Sequence, residues 1–364
     1  MLVMVIVDVK THHLSAPLHS PFVTALRRTS TMETLVVEII DENGVRGFGE
    51  APQVWQVTGE SIAGAQACIG GPLAAVVKGR DPHDLVTLLG DVRRTVAGNT
   101  GAKAGVDVAV HDLLARQLGV PLVRLLGGTS SRVPTDVTLP VGSVDDLVDA
   151  ATARVADGFD VLKVKVGTDP DGDVHRVTAI REATGPLVRI RLDANQGWTE
   201  RHAVRTIKTL EDADADVELV EQPVVAHDLD ALARVTARVD TPILADESVY
   251  GLTDLIEVMK RHAADMVNVK LAKCGGLAVA RTLLDLAAAA GMGTIVGSMM
   301  ESPIGVGAAA SLAAAYGTSA TSDLDAAWWL ATPAQGGVRY EGSTLVLPDA
   351  PGLGIDDIRD LRTA

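Results

Sequence analysis

Short β-branched stretches, some alternating with polar residues and some unbroken, recur along most of the chain, and the spacing between them sets the expected architecture. The opening MLVMVIVDVK predicts a first strand. TLVVEIIDENGVRGFGEA follows, with Asn43-Gly44 between apolar runs, the signature of a hairpin. From about Ala102 to Leu118 apolar residues fall at helical spacing, and Gly119 with Pro121 supplies the stop. His111 and Asp112 lie inside that helix and are assigned structural roles. From about Val133 the texture changes to strand-like runs separated by Ala/Arg/Leu-rich helical patterns: DVTLPVG, FDVLKVKVG, VRIRLDA, DVELVEQP, TPILADE, DMVNVKL, GTIVGS and SATSDLD. Eight such runs in βα alternation predict a parallel barrel closed on itself. After Trp328-Trp329 the tail, with TLVLP and PGLG, is expected to fold back onto the N-terminal part. The expected boundaries are 1–130 for an α+β domain, 131–330 for the barrel and 331–364 for the returning tail.

The barrel pattern carries a repeating charge. Lys165, Asp193, Glu221, Asp246 and Lys270 each close a strand-like run, at intervals of 24 to 28 residues, one strand-helix unit apiece. In an eight-stranded parallel barrel the C-terminal strand ends converge on one mouth, where the chemistry of such folds sits. Counting DVTLPVG as strand one, the carboxylates come from adjacent strands three, four and five. Lys165 is on strand two and Lys270 on strand six, half-way round the ring. Three carboxylates without a cysteine or histidine suit a hard cation, Mg²⁺, completing its shell with water and substrate oxygens.

Lys163 lies two residues before Lys165 and therefore on the same strand face. A lysine near its ordinary pKa of about 10.4 is a poor base at neutral pH. A like charge beside it disfavours the protonated form, so Lys163 is expected to tune Lys165 and to contact a substrate carboxylate. Removing a proton α to a carboxylate gives an enediolate that needs a cation for its second negative charge. With one lysine on each face, one removes the proton and the other returns it from the far side, inverting the carbon.

Composition narrows the partners. The 364 residues are 47% hydrophobic, enough for a sizeable core. A formal charge of −15 repels phosphate backbones and anionic membranes, which argues against nucleic acid or membrane as a partner. No apolar tract reaches the ~18 residues of a membrane span, and the N-terminus lacks the pattern of a signal peptide. Cys68 and Cys274 are too few for a disulfide framework, so a reducing cytoplasm is expected. The outer helices of a barrel offer surface for a homo-oligomer.

LKVKVG, RLDANQGW, VEQP, ADES and NVKLAKCGG, in that order, resemble the motifs of the enolase superfamily and its muconate-lactonizing subgroup. GFGEAP is similar to the domain that precedes the barrel in that family. The resemblance implies an α/β fold, a modified TIM barrel (β/α)7β with an N-terminal α+β capping domain completed by the C-terminal tail. It places the acid/base pair on Lys165 and Lys270 and the metal ligands on Asp193, Glu221 and Asp246.

SDLDAAWW looks like the DxD motif of dipeptide epimerases, with Asp323 and Asp325 two apart on one face. Paired carboxylates facing a pocket want a cation, and a dipeptide's α-ammonium is one. PFVTALRR resembles the capping loop that closes over substrate, and Arg27 falls where epimerases of alanyl-glutamate carry an arginine. Thr138, and Ser298-Met299 through backbone groups, match positions that line the pocket. No histidine follows strand seven, unlike the mandelate-racemase-like branch. The expected activity is Mg²⁺-dependent epimerisation of a dipeptide's C-terminal residue. The alternatives are a cycloisomerase or lyase on the same barrel, an N-acylamino acid racemase, or a non-catalytic metal or peptide binder.

Overall fold

The computed structural model describes residues 4–24 and 28–361. Three antiparallel strands begin the chain: β1 (Ile6–Val23), β2 (Arg28–Asp41) and β3 (Arg46–Pro52). The β2–β3 hairpin turns at Asn43-Gly44, where Gly44 takes φ +80° and Asp41 Oδ1 accepts from the N–H groups of Asn43 and Val45 at 2.9 and 2.8 Å.

The helix Thr100–Gln117 is buried on all sides along nearly its whole length, because it is wedged between this sheet and the barrel. Its polar residues serve the joint. Asp112 Oδ2 accepts from Phe48 N at 2.8 Å and Arg116 Nε at 3.0 Å, and Oδ1 from Leu353 N at 2.6 Å. Asp107 accepts from Leu277 N at 2.7 Å, capping the barrel helix Leu277–Ala289. His111 faces Asp107 at 3.2 Å.

After β4 (Arg132–Pro134) come the parallel strands β5 (Val137–Leu139), β6 (Val161–Lys165), β7 (Arg189–Asp193), β8 (Val217–Glu221), β9 (Ile243–Ala245), β10 (Met266–Lys270) and β11 (Gly293–Gly297). They pair consecutively in one curled sheet, with helices between them. Inside the barrel Leu219, Leu244 and Ile295 form an apolar plug. Each stands two residues before a mouth position, at Glu221, Asp246 and Gly297, as strand alternation requires.

The expected eighth strand is not a strand. SATSDLD closes the ring by two single parallel bridges, Thr135 with Ser322 and Gly297 with Asp323. Asp325 then enters helical geometry (φ −82°, ψ −3°), opening the short turn Ala326–Trp329, which ends the extended run before a ladder can form. The tail supplies β12 (Arg339–Glu341) and β13 (Thr344–Val346), and β13 pairs with β4. It then returns to the N-terminal helix, through Leu353 on Asp112 and Asp356 3.2 Å from Arg116. No described helix is long and apolar enough to cross a membrane.

Candidate active site

Strand register builds the site. Lys163 pairs with Arg191 and Lys165 with Asp193 across β6 and β7, and Asp193 pairs with Glu221 across β7 and β8. A cavity of about 660 Å³ opens over these strand ends. Lys163, Lys165, Asp246, Lys270, Asp323 and Asp325 line it from the barrel, and Phe22, Thr24, Val54 and Val57 from the N-terminal domain. Thr138, Ser298 and Met299 also line it. Arg27 lies outside the described residues.

Asp193 and Glu221 are buried beneath the lysines. Lys163 Nζ is 2.5 Å from Glu221 Oε2, 2.8 Å from Asp323 Oδ2 and 3.0 Å from Asp193 Oδ2. Lys165 Nζ is 2.5 Å from Asp193 Oδ2, and Lys270 Nζ is 2.8 Å from Asp246 Oδ2. The two mouth lysines are therefore tied to different carboxylates. Strands β7, β8 and β9 separate their parent strands.

Each of the three carboxylates has one oxygen held by the protein behind it. Asn195 N donates to Asp193 Oδ1 at 2.9 Å, Asn268 Nδ2 to Glu221 Oε1 at 2.8 Å, and Lys273 Nζ lies 2.6 Å from Asp246 Oδ1. Lys273, itself buried, also bonds the Asp246 and Asn268 carbonyls. The other oxygens meet ammonium groups: Asp193 Oδ2 meets Lys163 and Lys165, Glu221 Oε2 meets Lys163, and Asp246 Oδ2 meets Lys270. Carboxylate oxygens are the ligand type a hard divalent cation takes, though these three are not among the described carboxylates whose ligand atoms gather within 4.8 Å of one another.

The electrostatics agree. Burial and the neighbouring Asp193 push the Glu221 carboxyl up to about 7. Burial opposes charge on Asp193 and Asp246 too, yet Lys163 and Lys165 hold Asp193 well below the usual carboxylate range, and Lys270 and Lys273 do the same for Asp246. Burial and Asp246 push Glu247, which lines the cavity, up to about 8.

A second acidic group has ligand atoms within 4.8 Å of one another: Asp136, Asp323 and Asp325. Arg191 Nη1 lies 3.2 Å from Asp136 and Lys163 Nζ 2.8 Å from Asp323, so this group, like the first, is already partly neutralised by protein cations. Its pocket-facing members, Asp323 and Asp325, differ in character. Against burial, Lys163 and Lys270 lower Asp323, whereas burial and Asp323 raise Asp325.

The backbone expectation at Ser298-Met299 is narrowed by the structure. Ser298 N donates to Asp323 O at 3.0 Å and Met299 N to Glu301 Oε1 at 2.8 Å, so both N–H groups are committed inside the protein. Thr138 N likewise donates to Asp325 Oδ2 at 2.7 Å.

Asn268 and Lys273 were not singled out from the sequence, although a signal existed. Asn268 precedes Lys270 by two, on the same inward face, just as Lys163 precedes Lys165. Gly297 pairs with Lys270 across β10 and β11. A Cβ there would stand 2.9 Å from Lys270 Cε and 2.5 Å from Asn268 Oδ1, so the missing side chain makes room for the lysine.

Comparison with known proteins identifies the family. Residues 6–127 match the family described as mandelate racemase / muconate lactonizing enzyme, N-terminal domain, and residues 146–360 match enolase C-terminal domain-like. The L-Ala-D/L-Glu epimerase of Bacillus subtilis (strain 168) is 40% identical over 97% of both chains. A hydrophobic dipeptide epimerase of Enterococcus faecalis is 40% identical over 93% of this chain and 96% of its own. Among solved structures, the substrate-liganded Bacillus subtilis epimerase superposes with a TM-score of 0.94, covering 96% of this chain and 98% of that one at 40% identity. The Enterococcus faecalis V583 dipeptide epimerase complexed with Mg and L-Leu-L-Tyr does so with 0.93, covering 97% and 100% at 39% identity. With both domains matched and the relatives spanned almost end to end, the chain belongs to the mandelate racemase / muconate lactonizing enzyme family of the enolase superfamily.

Proposed function

We propose that this chain is a Mg²⁺-dependent dipeptide epimerase that inverts the α-carbon of the C-terminal residue, with L-Ala-D/L-Glu the first substrate to test. One observation carries the reading: the three strands between those of Lys165 and Lys270 are the ones that lead to Asp193, Glu221 and Asp246. The names and bound ligands of the relatives support it.

In this reading Lys165 Nζ removes the α-proton on one side of the substrate and Lys270 Nζ delivers one from the other. Asp193, Glu221 and Asp246 would hold Mg²⁺, which when bound would supply positive charge beside the substrate carboxylate. Lys163, on the same strand face as Lys165, bridges Asp193, Glu221 and Asp323 beneath the substrate. Asp323 and Asp325 hold the dipeptide's α-ammonium, and the surrounding apolar wall of Phe22, Val54 and Val57 keeps water out. Cys68 and Cys274, both buried free thiols, suit a reducing cytoplasm.

The test is incubation of L,L-dipeptides with enzyme and Mg²⁺ in D₂O, read by mass and by chiral separation. Deuterium at the C-terminal α-carbon together with the L,D product is expected. Release of water or formation of a new ring instead would assign the chain to the lyase or cycloisomerase class, and no exchange across a dipeptide library would remove the catalytic reading.

A further inference from the structure

Aromatic side chains are scarce here, three Phe, three Tyr and four Trp in 364 residues, yet four of the ten gather with His19 beside Asp325. Trp329, on the turn Ala326–Trp329, is the hub. Its ring stacks on His19 at 4.9 Å and 15°, and meets the edges of Phe22 at 5.2 Å and Trp328 at 5.6 Å. Such arrangements are favourable beyond their buried area and fix ring orientation.

The same side chain has one polar atom, and it is spent on the site. Trp329 Nε1 donates to Asp325 Oδ2 at 3.0 Å, and Thr138 N donates to that oxygen at 2.7 Å. Two directional donors from separate segments stop the carboxylate from rotating. His19 and Phe22 belong to β1, whose far end borders the cavity at Phe22 and Thr24. The contact continues along the backbone, with Leu18 bridged to Leu330 and Ala331 N donating to Pro17 O at 2.9 Å.

We propose that Trp329 is a positioning residue for recognition of the substrate amine: its indole N–H fixes Asp325, and its ring, seated against His19 and Phe22, locks that carboxylate to the N-terminal segment bordering the pocket. This rests on the reading of Asp323 and Asp325 as the ammonium site. Trp329 touches no reacting atom. It sets affinity for a free amine and leaves proton transfer at Lys165 and Lys270 alone.

Trp329→Phe keeps an aromatic ring, smaller than the indole, and deletes the N–H. KM for L-Ala-L-Glu is expected to rise about tenfold, the effect of losing a hydrogen bond to a charged group, with kcat held within about twofold. The inhibition constant of the N-acetylated dipeptide, which has no ammonium, stays unchanged, and Trp328→Phe changes none of the three. His19→Ala removes the stacking partner at a less buried position and is expected to raise KM in the same direction by roughly threefold. It serves as the deciding variant if Trp329→Phe does not fold. An unaltered KM, or equal weakening of the free and N-acetylated compounds, overturns the role of Trp329 while leaving the epimerase reading intact. A wild-type enzyme that exchanges no dipeptide overturns both.

Discussion

Lys163 Nζ stands 2.8 Å from Asp323 Oδ2, joining the second barrel strand to the segment that closes the ring. Burial disfavours charge on this lysine, but Asp193, Asp323 and Glu221 together hold it well above the ordinary range, so it stays an ammonium. Asp323 thereby balances a buried cation as well as facing the pocket. Asp323→Asn is expected to raise KM for free-amine dipeptides at least tenfold and to lower thermal stability by about 1–3 kcal/mol, since Lys163 loses one charged partner but keeps Glu221 and Asp193. Steady-state kinetics and melting curves check it, and an unaltered KM would remove Asp323 from amine recognition.

The two mouth lysines are predicted to act on opposite faces. Lys165→Ala and Lys270→Ala should each lower epimerisation by about 10²–10⁴. In D₂O each should still wash the α-proton out of only one of the two epimers, and opposite ones. If both variants exchanged the same epimer, a two-sided transfer would be wrong.

Lys273 reaches Asp246 from behind the site and never enters the pocket lining. Lys273→Met is expected to weaken Mg²⁺ binding about 10- to 100-fold, as loss of partners behind a metal ligand commonly does. Calorimetric titration of the stripped enzyme with Mg²⁺ measures this directly. Chelation of the wild type should abolish exchange, and added Mg²⁺ should restore it.

Gly297 leaves the space that Lys270 Cε occupies. Gly297→Ala should displace the ammonium and cost roughly 10²-fold in kcat, with about 1–3 kcal/mol of stability lost to overpacking. A crystal structure of the variant would show the displaced lysine. Full activity would mean that the position tolerates a methyl and that the strand end has slack.

His111 gives the fold a pH signature away from the site. Burial lowers its affinity for a proton, but the facing Asp107 outweighs this and raises it above the ordinary histidine value. The unfolded chain titrates near 6.5. The stabilisation is therefore complete below about pH 6.5 and is lost as pH rises through the higher folded value. The melting temperature of the wild type minus that of His111→Gln should be largest in mild acid and shrink in alkali. A difference independent of pH would mean that Asp107 and His111 interact without a shared charge.

Much of the site was legible because two periods coincide. Strand alternation puts Lys163 and Lys165 on one face, and the length of a βα unit returns the chain to the same mouth at Asp193, Glu221, Asp246 and Lys270. What escaped detection depends on contacts without a local period. Glu50 accepts from Ser302 and Gly305 N–H groups some 250 positions away, at the start of the helix Pro303–Tyr316. Met299 N is taken up by Glu301, which no alternation pattern announces. SATSDLD falls at the spacing of an eighth strand, and the turn at Asp325 shows why it is not one. The aromatic hub joins His19 to Trp329 across almost the whole chain, a pairing visible only once the barrel is closed.

The two-bridge closure at Ser322 and Asp323 divides the molecule into parts with different freedom to change. The mouth lysines and Asp193 and Glu221 stand in full ladders, where a shift in register would turn each side chain to the wrong face. The seam has no such ladder beyond its two contacts. Change is therefore easiest in the aromatic turn after the seam, because Asp323 within the seam is itself tied to Lys163 on the ladder side.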